Sequence, residues 1–473
     1  MSSTKHTENP ERLRGRLGTA GIVFMVVAAA APLTVIGGNM PLGIGLGNGA
    51  GAPVGFLIAA LLLLVFSIGF VAMTPHVKQA GAFFSYVTLG LGKRPGMGIA
   101  VVALVAYTAI QAGIYGYIGW AIDDTIRFYG GPSIPWPIYS LVTLLIVAFL
   151  GYRHINLSAK VLGIALVAEI SIVVLLDLAI VVQPGPAGIT FASFEPSTFL
   201  NGAISVAILF ALTGFIGFES TAVFRDEARN PERTVPRATY ISVLIIGGFY
   251  AFTCWAFVVA IGPDAVMEVA QRTLAGEGNM LLDTTNDYLG RIGRDIVNVL
   301  LLTSLFACVL SFHNVIARYQ FVLAGLRVLP QRLARIHPKH ESPSTSSLVQ
   351  SGTALAVLAV FAVFGVDPLV GVFGSMAGVA TVGMTILMFT TSLAVIVYFA
   401  RNREHRGGRV WRTLVFPALA CAGLIGAMVL VLSNFTLVTS SGVGLSTMLA
   451  FIPFIAFVVG WIIGTRKRAI LPG

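Results

Sequence analysis

Ionisable side chains are scarce in this 473-residue sequence. Asp, Glu, Lys and Arg make up 11% of it, against about 25% of an average soluble domain, and only 20 residues are acidic. That poverty excludes an ordinary water-soluble globule. Cysteine is nearly absent as well. Cys254, Cys308 and Cys421 each lie inside an apolar run, so neither a disulfide framework nor a cysteine metal knuckle is expected. The seven histidines show no metal-ligand spacing. No G-x-S-x-G on a strand–helix turn, no H-E-x-x-H and no phosphate-binding loop occurs in a suitable context, which argues against an integral-membrane enzyme. No short re-entrant filter of the kind channels use is evident either. The polar start, MSSTKHTENPERLRGR, lacks the apolar core and cleavage site of a signal peptide. A formal charge of +10 invites a nucleic-acid reading, but the charges sit in short loops between apolar runs, so no nucleic-acid partner is expected.

What remains is hydrocarbon. Hydrophobic residues make up 56% of the chain and mean hydropathy is +0.88. A membrane helix needs about 20 mostly apolar residues, and about twelve such segments can be counted. The expected class is therefore an all-α integral membrane protein. Segment 1 runs from about Leu17 to Leu46, too long for one straight span, with a break expected at Pro32, which removes a helix hydrogen bond and clashes with the preceding turn. Segment 2 covers about Ala52 to Met73. An amphipathic stretch with Lys78, Lys93 and Arg94 follows and is expected at the inner surface. Segments 3, 4 and 5 cover about Gly96–Ile126, Ile138–Leu150 and Leu157–Val182, the last carrying Lys160, Glu169 and Asp177. Asp177 is expected near the interface. Segment 7 covers about Tyr240–Ile261, and a polar, mildly acidic loop is expected from there to Gly293. Segments 8 to 12 cover about Asp295–Leu323, Leu348–Gly365, Gly371–Ala400, Thr413–Leu432 and Gly444–Gly464.

Segment 6 is the unusual one. NGAISVAILFALTGFIGFESTAVFRDEARNPERTVPRATY holds Gly202, Gly214 and Gly217 in apolar surroundings, then Glu219, then a charged run ending at Pro231 and Pro236. Glycine costs about 1 kcal/mol relative to alanine in a helix interior, and a carboxylate at membrane depth costs about 2.5 kcal/mol or more. Backbone freed by such a break is tolerated in a membrane only where it lines a cavity or is buried in protein. Broken helices at segments 1 and 6, five apart, are the pattern by which secondary transporters build a substrate site. An odd offset inverts the second half, so the expected organisation is a tail (1–16), a first repeat (17–182), an inverted second repeat (197–400), two further helices (411–465) and a tail (466–473). Of 30 Lys and Arg, all but Arg127, Arg272, Arg291 and Arg294 fall on the side of the N-terminus. Both termini are therefore expected in the cytoplasm of a plasma (inner) membrane protein.

Several stretches resemble the amino acid–polyamine–organocation superfamily: GFESTAVFRDEARNPERTVPRA, SLFACVLSFHNVIARYQFVLAGLRVLPQRLARIHPKHESP and INLSAKVLGIALVAEI. The resemblance covers segments 1 to 10 and implies amino acid or amine transport on the leucine-transporter fold, driven by sodium, by protons or by exchange. In that family the segment 1 break carries Gly-Ser/Ala-Gly, whose N–H groups hold the substrate carboxylate. This chain departs from it with Ala31, Pro32, Leu33 and Thr34, so the implied donors are Leu33 and Thr34, with the Ala30 carbonyl facing an ammonium. In segment 6 the matched residues are Phe215, Ile216, Gly217 and Glu219. A carbonyl near Gly214 or Ile216 would take the amine, and Phe215 would close over the substrate or simply pack.

Glu219 and Glu169 are candidate proton carriers, because an ionised carboxylate at membrane depth is penalised unless a cation or several donors face it. Each also has a structural reading, Glu219 as a satisfier of broken-helix donors. Tyr107, Gln111 and Tyr115 share a face at intervals of four and either line the cavity or form an interhelical network. Thr303 and Ser304 offer hydroxyls for a candidate cation site or serve as interhelical glue. The expected function is an amino acid permease working by alternating access, with no organic cofactor or metal and with H+ as coupling ion. Na+ coupling, ion-free exchange, an amine or polyamine substrate, and a non-transporting sensor of the same fold are the alternatives.

Overall fold

The computed structural model describes residues 18–77, 83–153, 159–219, 221, 228–337 and 342–466. The two expected tails, Lys78, the Lys160 side chain and residues 222–227 of the charged signature lie outside the described residues. No strand occurs among them.

The helices, in chain order, are α1 (Thr19–Ala29), α2 (Pro32–Thr34), α3 (Met40–Gly43), α4 (Ala52–Met73), α5 (Phe83–Leu91), α6 (Lys93–Phe128), α7 (Trp136–Tyr152), α8 (Ala159–Val182), α9 (Pro196–Phe199), α10 (Ile204–Thr213), α11 (Pro231–Ile261), α12 (Val266–Leu274), α13 (Met280–Gly325), α14 (Ser344–Val363), α15 (Ser375–Arg401), α16 (Arg403–Arg406), α17 (Phe416–Ser433), α18 (Phe435–Thr439) and α19 (Val443–Arg466). Among the described residues nine helical stretches are long and apolar enough to cross a membrane. One of them, Thr19–His76, contains both segments 1 and 2, and the shorter apolar helices Trp136–Tyr152 and Ile204–Thr213 stand where segments 4 and 6 were expected. Every expected segment therefore has its helix.

The core runs along α6, which is flanked by α5, α7, α13, α15 and α19. Outward faces of α7, α8, α17 and α19 expose Leu145, Phe149, Ile164, Leu175, Val429 and Phe451. Continuous apolar exposure of this kind suits hydrocarbon and not water.

The chain between α1 and α4 is helical but irregular, because Pro32 and a run of glycines disrupt the regular bonding. Wider π turns occupy Val35–Asn39 and Ile44–Asn48. A Cβ on Gly38 would stand 2.7 Å from the Tyr117 ring and 3.0 Å from Phe373, so only glycine permits this packing against α6.

Three expectations are corrected. Segment 7 begins at Pro231 and not near Tyr240. Pro231 occupies the first helical position, where its missing N–H is harmless, and Pro236 follows within the next turn. The supposed loop to Gly293 is α12 plus the first turns of α13. Val266, Ala270 and Leu274 give α12 one buried face, and Glu268 and Arg272 lie exposed on the others. The Asn279 side chain accepts from Leu282 N while its own N–H donates to Asp283, a reciprocal cap that starts α13. Gly290, at φ 70°, kinks it. The amphipathic stretch after segment 2 forms α5 from Phe83 on, with Phe83, Phe84, Tyr86 and Val87 buried against α6 and α15. Asp177, expected at an interface, is 3% exposed and accepts from Thr253 of α11 at 2.7 Å.

Candidate functional site

The helix breaks expected at Pro32 and at Gly214–Gly217 both exist, and they touch. At the first, α1 ends at Ala29 and Ala31 adopts φ 45°, ψ 74°, a left-handed conformation rare outside glycine. Ala31 N bonds only three residues back, to Ala28 O, and regular bonding resumes when Val35 N reaches Ala31 O. At the second, α10 gives way to three-residue turns, with Phe215 N on Leu212 O, Ile216 N on Thr213 O and Phe218 N on Phe215 O. Among the described residues neither Gly214 O nor Ile216 O accepts a backbone N–H. Gly217 adopts φ +111°, and a Cβ there would lie 3.4 Å from that of Ala29. A Cβ on Gly214 would lie 3.0 Å from Val35. The end of α1 and the start of its continuation thus face the interrupted end of α10.

Each break carries one buried glutamate. Glu219 is 5% exposed. One of its oxygens accepts from the Tyr107 hydroxyl of α6 at 2.7 Å, the other from Gly217 N at 2.9 Å. It satisfies a donor freed by the break, as a buried polar group must, and ties α6 to it. Glu169 of α8 is 4% exposed and accepts from Ser304 Oγ of α13 at 3.1 Å. Its carboxylate also lies beside the backbone N–H of Leu33. Pro32 strips the opening of α2 of one donor, and the next N–H faces this carboxylate.

Around these contacts the Tyr250 hydroxyl of α11 donates to Ala30 O at 3.2 Å, and its ring meets Phe215 edge-on with centroids 6.3 Å apart. Thr34 Oγ1 is buried without a partner, and so is the Tyr117 hydroxyl, beside Gly37. Next to the α10 break lies a small cavity, about 10 Å³, between Leu212, Phe215, Ile216, Met384 and Met388, with the Thr381 and Thr385 side chains on its wall. Thr381 Oγ1 also hydrogen-bonds Thr213 Oγ1 at 2.5 Å.

A family model described as amino acid permease matches residues 17–469. The chain belongs to the amino acid permease family. Among similar proteins, the serine/threonine exchanger SteT of Bacillus subtilis (strain 168) is 23% identical over 64% of this chain and 67% of its own. The branched-chain amino acid permease BcaP of the same organism is 24% identical over 71% and 73%. The chloroplastic cationic amino acid transporter 7 of Arabidopsis thaliana is 24% identical over 77% and 62%. The family and these relatives are transporters, not enzymes, and the chain is an amino acid transporter embedded in a membrane by many spans.

Within the permease, Ala30, Leu33, Thr34, Gly214, Phe215, Ile216, Gly217, Glu219, Glu169, Ser304 and Tyr107 gather at the two breaks. Two expected residues do not. Gln111 donates to Val309 O at 3.2 Å and accepts from Gln350, which in turn accepts from Gln320. This buried chain joins α6, α13 and α14. Thr303 is exposed and bonds Leu300 O within its own helix, because it lies a third of a turn from Ser304. The Ala30 carbonyl faces the Tyr250 hydroxyl. Sequence reasoning missed Tyr250, Thr381 and Met384, which sit in long apolar helices with nothing local to mark them.

Proposed function

We propose that this permease carries a neutral α-amino acid into the cell by alternating access, coupled to protons. The reading rests on one observation: the Glu169 carboxylate lies beside the Leu33 N–H, the first donor after Pro32. N–H groups at such a half-helix start favour a carboxylate, and freed carbonyls at a half-helix end favour an ammonium. Gly214 O and Ile216 O supply the latter. An ionised Glu169 and a substrate carboxylate compete for the same donor and repel each other. Protonation of Glu169 removes the repulsion and releases the N–H, so proton and amino acid each raise the affinity for the other. That mutual preference is the condition for symport. Glu219, whose two oxygens are committed to Tyr107 and Gly217, ranks second as carrier.

Three observations support the rest. The named substrates of the relatives differ in side chain but share the α-amino and carboxyl groups, as backbone recognition at two breaks requires. The cavity beside Phe215 has no ionisable lining, which suits a neutral side chain once Phe215 and the methionines move. Sodium finds few oxygens here, since Thr303 faces away and Ser304 already donates to Glu169. The leucine-transporter arrangement with inverted repeats, and a plasma-membrane orientation with cytoplasmic termini, complete the proposal.

The test is uptake of labelled leucine, serine and lysine into proteoliposomes with imposed pH or sodium gradients. Accumulation of leucine or serine that follows an inward proton gradient is expected. Accumulation that follows sodium and ignores pH refutes proton coupling. Decarboxylated analogues that compete as well as their parent amino acids refute the zwitterion site.

A further inference from the structure

A far roomier cavity than the one at the helix breaks lies elsewhere. It occupies about 760 Å³ at one end of the bundle, between the end of α4, the start of α11, the end of α15 and the loop into α17. Its volume lies within the range of about 300–1,000 Å³ typical of small-molecule sites. We propose that it binds the headgroup of an anionic phospholipid.

The charge of its wall is one-sided. Among the described residues, Arg406, Arg409, Arg412, His76 and His405 line it against one acid, Glu232. Among the described residues none of the three arginines forms an ion pair. Arg406 donates through Nη2 to Phe399 O at 3.1 Å, which anchors the side chain, yet its buried Nε has no partner among the described residues. His405 is fixed by the Tyr398 hydroxyl at 2.9 Å and by stacking on His76 at 4.7 Å. A buried guanidinium nitrogen without an acceptor is costly unless an anion supplies one.

The remainder of the wall is hydrocarbon: Ile68, Val71, Ala72, Phe399 and Phe416. The helices that form it expose Ile241, Leu244 and Leu419 nearby, and Trp411 is 68% exposed beside Arg412. A free phosphate has no use for this apolar half, whereas an acyl chain does. The loops holding these arginines lie on the side where the chain concentrates its basic residues, and basic pockets between membrane helices on the cytoplasmic side are suited to anionic headgroups. Positive charge there serves topology wherever it sits; a cavity walled by it and floored with apolar side chains is a further feature.

The experiment is native mass spectrometry of the purified full-length protein titrated with phosphatidylglycerol, phosphatidylcholine, or sn-glycerol-1-phosphate. One tightly held phosphatidylglycerol is expected, with phosphatidylcholine and the tailless phosphate bound far more weakly. Arg406→Gln, Arg409→Gln and Arg412→Gln should each weaken it about fivefold. Glu232→Gln should tighten it by a similar factor, which keeps the test decisive if an arginine variant fails to fold. A triple variant at exposed Arg327, Arg332 and Arg335 should leave it unchanged. Equal retention of phosphatidylcholine, binding of the tailless phosphate as tight as that of the lipid, or equal losses in the control triple would overturn the proposal.

Discussion

Replacing Glu169 by glutamine isolates the coupling step. In the wild-type protein an ionised Glu169 faces the Leu33 N–H that a substrate carboxylate would use, and the two anions compete for it. A hydrogen bond to a charged group contributes about 1.5–3 kcal/mol. Substrate affinity should therefore fall about 10- to 150-fold as pH rises through the titration of Glu169, by at most about tenfold per pH unit because one proton is involved. The sign follows from competition: the proton removes the rival anion, so acid favours binding. Glutamine has nearly the same shape, can still accept from Ser304, and carries no charge at any pH. Glu169→Gln should bind leucine at alkaline pH as tightly as the wild type does at acid pH, and it should equilibrate leucine without accumulating it against a proton gradient. The assay is equilibrium binding across a pH series in detergent, paired with gradient-driven uptake in proteoliposomes. If Glu169→Gln keeps the wild-type pH dependence of binding, or if wild-type affinity rises with pH, the reasoning fails.

Three other outcomes are open to measurement. Tyr107→Phe removes one of the donors to buried Glu219 and should cost about 1–3 kcal/mol in unfolding free energy; combined with Glu219→Gln the loss should be clearly less than additive, and additive losses would show that the contact is idle. Gly217→Ala meets only ordinary contact, 3.4 Å from Ala29, so its cost is backbone strain at φ +111°, about 1–3 kcal/mol; an unchanged melting temperature would mean that the break is not held in this conformation. Thr303→Ala should alter neither stability beyond about 0.5 kcal/mol nor ion dependence, whereas Ser304→Ala, which strips a donor from Glu169, should shift the pH dependence of uptake. Sodium-sensitive loss in Thr303→Ala would reverse this.

The family was legible in the charged signature after segment 6 although residues 222–227 lie outside the described structure, because a motif carries its information without coordinates. The membrane class followed from hydropathy alone, since an apolar run of span length has few other stable destinations. So did the break at Pro32, a local consequence of a missing N–H and a ring clash. The start of α11 was misread because prolines and charges mark a loop in most contexts, yet Pro231 stands at the one helical position that needs no N–H. The acidic stretch before α13 was misread for a related reason, its charges lying on the outer faces of an amphipathic helix. Which partners the buried polar groups choose is another matter. Glu169 and Leu33 lie far apart in the chain, as do Tyr250 and Ala30. Gln111 and Thr303 sit one turn from Tyr107 and beside Ser304, which do reach the breaks, yet one is held in a network with α13 and α14 and the other faces outward. Helix rotation and packing decide such pairings, and they depend on the shapes of all the surrounding helices at once. A local reading names the chemical groups a membrane chain must satisfy; only the packed structure determines which group satisfies which.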